Sequence, residues 1–266
     1  MNGRIRSFFR SIGRSHPVSD LALWAAGLTF FSAIGIVPLV MEAISLAGRI
    51  VGTTALRRSM ETLLRALPSS HGIGGTVRPL VDSSLELSWT QVAVLLVPTT
   101  VYGEGLRRSF LQMSHDHPNA TTGWRGRVAF VPVIALTPFI VIILVAAIPF
   151  VAPFYEHGGW ATAFGVVMAF HITFAMLTVV FAAMFRLVGT VAIPVVPLLI
   201  ASACTASMNA GFLQGFLLFL AIPISWSAPF HGLPVVGAVT VLLLWLYVLN
   251  TLVIVGYRLA LVLARR

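Results

Sequence analysis

Long apolar runs dominate this chain, at about residues 20–47, 89–110, 128–152, 160–185, 191–221 and 234–262. Each is long enough for the roughly 20 residues that carry a helix across the hydrocarbon of a bilayer. A water-soluble domain of 266 residues must keep its surface wet, yet only 9% of the residues are charged and 58% are apolar. Ordinary soluble domains carry about a quarter charged residues. The expected fold is therefore an all-α integral membrane protein, a single membrane domain of six transmembrane helices with amphipathic interfacial helices. The first run exceeds the about 7–15 apolar residues of a cleavable leader and is expected to remain in the membrane as an anchor.

All seventeen basic residues are arginine, and with eight acids the net charge is +9. On a membrane protein arginine marks the cytoplasmic side. Six spans place both termini on one side. With that side inside, the inner segments hold Arg4, Arg6, Arg10 and Arg14, four arginines in 107–127, Arg186, and Arg258, Arg265 and Arg266, twelve in all, against five in 48–88. Both termini are thus expected in the cytoplasm. The lone Cys204 makes no intrachain disulfide. Pro38 is expected to kink span 1, and prolines lie in or beside five of the six spans, as in the broken helices that often line transporter sites. Two small-residue stripes, Ala25-Thr29-Ala33 and Ala203-Ser207-Gly211-Gly215, suit close helix packing.

Two segments read as amphipathic rather than spanning. Residues 1–19 alternate arginines with Phe8 and Phe9. In 48–88, Leu56, Met60, Leu63, Leu64 and Leu67 recur at helical spacing opposite Arg57, Arg58, Glu61 and Arg65. A second turn sets Val77, Leu80, Val81 and Leu85 against Arg78, Asp82 and Glu86. Such helices lie on the membrane or cap the bundle.

The stretch "HDHPNATTGWRGR", 115–127, falls in the loop expected between spans 2 and 3. His115 and His117 are two apart and share a face only in an extended strand, so no metal site is read here. Asn119-Ala120-Thr121 fits a glycosylation pattern, but a cytoplasmic loop does not meet that machinery. Arg107, Arg108, Arg125, Arg127 and Arg186 are read as headgroup-level anchors. Nucleic-acid binding would need more basic surface and stacking aromatics, so nucleic acid is not expected as a partner.

The order of segments resembles the YihY/BrkB family of bacterial inner-membrane proteins over nearly the whole chain. The resemblance rests on "DLALWAAGLTFFSAIGIVPL" with Asp20, Ala25, Leu28, Phe31 and Pro38, on "YGEGLRRSFLQM", and on His231-Gly232, Trp245, Tyr247 and Gly256 near the end. Where the family closes with Gly-Ala-Glu, this chain has Gly256-Tyr257-Arg258, so no role for that carboxylate carries over. The resemblance implies a six-span plasma-membrane protein for which transport is presumed and lipid export has been proposed among relatives. An older ribonuclease label finds no support here: the acids are scattered, with no paired carboxylates, no H-E-x-x-H helix and no P-loop lysine. No enzyme activity, metal or cofactor is expected.

Polar residues at membrane depth usually face an interior or a water-filled cavity. Glu42, Glu104, His171, Asn209, Gln214 and Asn250 are the substrate-cavity candidates. Two readings follow. One is a transporter or flippase for an amphipathic, anionic lipid-linked substrate, with membrane lipids as partners. The other is a non-transporting scaffold that binds membrane proteins, itself included. A polar cavity at mid-membrane favours the first, and a dry bundle the second.

Overall fold

A computed structural model describes residues 18–66, 73–114, 123–156, 159–221 and 233–265. Eight α-helices account for nearly all of them: α1 (Val18–Val51), α2 (Thr53–Ala66), α3 (Ile73–Leu85), α4 (Trp89–Ser114), α5 (Gly123–Glu156), α6 (Gly159–Leu187), α7 (Val195–Ala221) and α8 (Pro234–Ala264). The all-α membrane fold expected from the apolar runs is therefore present. Several expectations lie outside the described residues: the arginine-rich N-terminal segment, the break after Ala66, the histidines and Asn119 of 115–122, and the Trp226–His231 loop.

Five helices are long and apolar enough to cross a membrane, covering Leu21–Val51, Trp124–Phe154, Gly159–Leu187, Val195–Phe216 and Val235–Ala264. Their outward faces expose Phe30, Val37, Phe139, Val179, Leu199 and Leu244, among others. A continuous apolar exterior of this kind is compatible with lipid and not with water. Helix α4, expected as the second span, is 26 residues long but is not among the five. Its place in the bundle gives the reason for its weaker apolar character. It packs against α1, α5 and α8, and Thr99, Thr100, Gly103, Gly105, Ser109 and Ser114 are buried against protein. A face packed against protein does not need a lipid-soluble surface, while Trp89, Val94 and Val97 stay exposed on the rest of the helix.

The expected boundaries were too short. Helix α4 continues to Ser114 and α5 begins at Gly123, so Arg107, Arg108, Arg125 and Arg127 stand on helices, not in a loop. In the other direction, residues 191–194, expected within span 5, are not helical. Pro194 precedes α7 and Pro197 lies in its first turn, where the missing N–H costs nothing. Inside the other helices proline does not interrupt the assignment: α1 runs through Pro38, α4 through Pro98, and α5 through Pro132, Pro138, Pro149 and Pro153.

The amphipathic pair α2 and α3 caps one end of the bundle. Leu56 and Val81 are buried with Ile44 and Ala47 of α1, and Met60, Val77 and Leu85 pack around them together with Val141, Ile142 and Val145 of α5. Arg57 and Asp82 pair across the polar side at 3.1 Å, both half-exposed. Helix α4 then starts on a reciprocal cap. The Gln91 backbone N–H donates to Ser88 Oγ at 3.3 Å, and the Ser88 N–H donates to Gln91 Oε1 at 2.7 Å. Arg49, at the end of α1, donates to the Leu87 carbonyl and stacks over the Trp89 ring at 4.0 Å, a cation–π contact that ties the two helix ends together.

Close helix crossings depend on small residues, as expected in a membrane bundle, but not everywhere on those anticipated. Ala25 and Thr29 are buried. Of the α7 stripe, Ser207 and Gly211 are exposed and nothing lies within 4 Å of a Cβ added at Gly211 or Gly215. The packed face of α7 is Ala201, Ser202, Thr205, Ala206, Asn209 and Ala210. A four-residue spacing identifies a face of a helix but not which way that face points. Gly256 of α8 sits directly on Thr205, with no room for a Cβ. Gly256→Val is expected to lower stability by about 1–3 kcal/mol through overpacking, and Gly211→Ala to leave it unchanged. Thermal unfolding in detergent measures both, and equal melting of the two variants would contradict this packing.

Candidate functional site

Hydroxyl residues on the buried faces of α1 and α4 satisfy themselves by bonding carbonyls one turn back. Thr29 donates to Ala25 O at 2.7 Å, Ser32 to Thr29 O at 2.9 Å and Thr99 to Leu95 O at 2.9 Å. Polar atoms can therefore enter the bundle without disrupting it. Where α1, α4 and α8 meet, they form a chain of side-chain bonds. Tyr102 donates its hydroxyl to Asn250 Oδ1 at 2.8 Å, and Asn250 Nδ2 donates to Ser32 Oγ at 2.9 Å. Asn209 of α7 is buried and donates to Thr205 O at 2.9 Å.

These groups border one cavity of about 170 Å³. Ser32, Thr99, Tyr102, Asn209 and Asn250 supply its polar wall, while Phe130, Phe181 and Leu246 supply part of the apolar one. Glu42 lies on the same helix as Ser32 and Leu39 and is fully buried. Neither of its carboxylate oxygens has a hydrogen-bond partner. The Thr99 hydroxyl lies within electrostatic reach of it, but is bonded to Leu95. A separate apolar groove of about 510 Å³ lies between α5 and α6, lined by Leu136, Phe139, Ile143, Ile172, Met176 and Val179 among others.

The other sequence candidates occupy different places. Glu104 does not line the cavity. It is a clamp, bonded to Arg108 of its own helix and to Arg127 of α5 at 2.8 Å. His171 faces outward, its Nδ1 2.8 Å from Val167 O and its ring edge-on to Phe170. Gln214 links α7 to α6 by donating to Val166 O at 3.2 Å. Among the arginines, Arg107 is half-buried and donates to Val188 O at 3.2 Å, with its Nε buried and unpartnered. Arg186 donates to Ile193 O at 3.0 Å, closing the turn before α7. Arg108 and Arg125 are exposed, and Arg127 is partly buried by its bond to Glu104. Arg258, counted with the flanking arginines, is buried in the bundle.

The arginine-rich end is locked by aromatic and hydroxyl contacts. Tyr257 is buried and stacks on Phe110 with ring centroids 3.8 Å apart. Its hydroxyl accepts the Thr190 backbone N–H at 3.0 Å, and Thr190 Oγ1 donates to Ser114 Oγ at 3.0 Å. Among the described residues no group of three or more His, Cys, Asp or Glu is placed to hold a metal.

Sequence reasoning missed Ser32, Thr99 and Tyr102. The signal was present in the spacing, since Ser32 lies seven residues before Leu39 and ten before Glu42 on one helix face. Hydroxyl residues in spans are common enough to pass as packing, however.

Together the fold and the cavity define an all-helical integral membrane protein with a polar pocket inside its bundle. The chain belongs to the Virulence factor BrkB family, whose profile matches residues 18–266. No curated protein and no solved structure matches it significantly.

Asn250→Ala removes the shared partner of Tyr102 and Ser32. A loss of about 1–3 kcal/mol is expected, with Tyr102→Phe costing less. The double variant should be less than additive, because the two residues share one bond. Additive effects in thermal unfolding would mean that the chain of bonds is absent.

Proposed function

We propose that this protein is a transporter of the bacterial plasma membrane, with six spans and both termini in the cytoplasm, that moves an amphipathic, anionic lipid-linked substrate. The observation that supports it is the polar cavity. Five polar side chains from three of the long apolar helices and from α4 gather on one space, where polar groups are expensive unless they serve a pathway. The cavity has the size of a small headgroup, not of a whole lipid. The apolar groove between α5 and α6, of about 510 Å³, has the volume and lining for part of an acyl chain. The exposed arginines at the Glu104 end, Arg108 and Arg125, attract anionic headgroups. In this reading α4 counts as the sixth span because its polar face packs against α1, α5 and α8, and the excess of arginine in the expected inner segments supports termini in the cytoplasm.

A scaffold reading keeps one observation on its side. The open small-residue face of α7 around Ser207 and Gly211 suits a second copy of the chain or another membrane helix.

The two readings separate in vesicles of phosphatidylethanolamine and phosphatidylglycerol carrying a fluorescent phosphatidylglycerol. Transbilayer movement is followed by quenching the outer leaflet. Transport predicts movement faster than in empty vesicles, slowed about tenfold by Asn209→Leu or Thr99→Val, the equivalent of one lost hydrogen bond, and unaffected by Gly211→Leu. Movement no faster than in empty vesicles, with Gly211→Leu abolishing self-association in cross-linking, would favour the scaffold.

A further inference from the structure

Glu42 is the one acid among the described residues that is fully buried. Its Oε1 and Oε2 are both without a partner, and so is the buried Ser45 hydroxyl one turn further along α1. A carboxylate left in this condition would be a bare charge in a low-dielectric interior, which proteins avoid by neutralising the group. Among the described residues no cation pairs with it. Helices α4, α5 and α8 all pack against α1, and their segments 89–101, 128–154 and 235–257 contain no Asp, Glu, Lys, Arg or His. Their titratable groups are the phenols Tyr247 and Tyr257; Tyr102, just beyond, is bonded to Asn250. In the capping layer, Arg57 pairs with Asp82, and Arg58, Arg78 and Glu86 are exposed while Glu61 is partly so. Arg49 is bonded to Leu87 and stacked on Trp89. Thr99 borders the polar cavity and also lies within electrostatic reach of the carboxyl.

We propose that Glu42 is a proton-binding site served by the polar cavity. Hydronium entering the cavity gives its proton to the carboxylate and leaves water, and the neutral carboxyl then stays buried. When water next reaches the group the proton returns to it. The proposal deepens the transport reading, since a proton that binds and leaves beside the cavity can be coupled to substrate movement. The binding itself does not depend on that reading. A metal cation is the poorer occupant, because one carboxylate and one hydroxyl fall short of the six or so oxygens that a hard cation takes.

The test uses the full chain in phosphatidylethanolamine–phosphatidylglycerol vesicles and dicyclohexylcarbodiimide, an apolar reagent that modifies protonated carboxyls inside membranes. Mass spectrometry of the Glu42 peptide reads the product. Labelling is expected at low pH, falling about tenfold for each pH unit above its midpoint. It should be absent in Glu42→Gln and retained with a shifted midpoint in Glu42→Asp, which covers the case in which the glutamine variant fails to fold. Sodium at constant pH should not protect. Wild-type labelling that is absent at every pH, independent of pH, or blocked by sodium overturns the proposal. Labelling as expected in vesicles that move no lipid leaves the proton site standing and removes the transport reading instead.

Discussion

Hydrocarbon offers no hydrogen bonds, and the whole architecture follows from that constraint. Backbone polar groups are satisfied chiefly within the helices, and most hydroxyls that enter the bundle bond the carbonyl a turn behind them or reach a neighbouring helix, the buried Ser45 and Ser202 hydroxyls doing neither. Thr29, Ser32, Thr99, Thr100, Ser109 and Thr205 all follow the first course. Asn250 follows the second, joining α1, α4 and α8 through Ser32 and Tyr102. Glu42 follows neither. A bundle that satisfies so many of its polar atoms makes the unsatisfied carboxyl stand out chemically.

The same constraint orders the helices by polarity. Helix α4 carries Thr99, Thr100, Glu104 and two arginines and packs its polar face against α1, α5 and α8. Helices α6 and α7 carry long apolar exteriors and lie further out. The two ends of the bundle differ as well. One is closed by amphipathic helices resting on Ile44, Ala47 and the middle of α5. The other is closed by side chains: Glu104 with its two arginines, Tyr257 stacked on Phe110, and Thr190 tied to Ser114. The polar cavity lies between these closures.

Much of this was legible in the sequence, because hydrophobic length is a strong signal. The apolar runs correspond to helices, five of them long and apolar enough to span, the amphipathic pattern of 48–88 corresponds to α2 and α3, and the family resemblance holds. Other features were not legible because they depend on which way a face points. The α7 stripe from Ala203 to Gly215 has the spacing of a packing face and points outward. Glu104 and Glu42 look alike as acids near span ends, yet one pairs with Arg127 and the other has no ion-pair partner among the described residues. Arg127 lies 23 residues from Glu104 in sequence, and only the crossing of α4 and α5 brings them together. Ser32 and Tyr102 looked like ordinary span residues until Asn250, 218 positions from Ser32, was placed between them.

That crossing has a mechanical side. Where α4 meets α5, Gly103 and Gly126 bring the two main chains into contact: a Cβ on Gly103 would lie 2.7 Å from the Gly126 carbonyl oxygen, and one on Gly126 2.8 Å from the Gly103 carbonyl oxygen. Helices touching backbone to backbone cannot slide lengthwise without driving carbonyls together, and the Glu104–Arg127 pair beside them pins the same spot. The junction behaves as a pivot. Any rocking of α5 against α4 about this junction would swing widest at the opposite end, under the amphipathic cap.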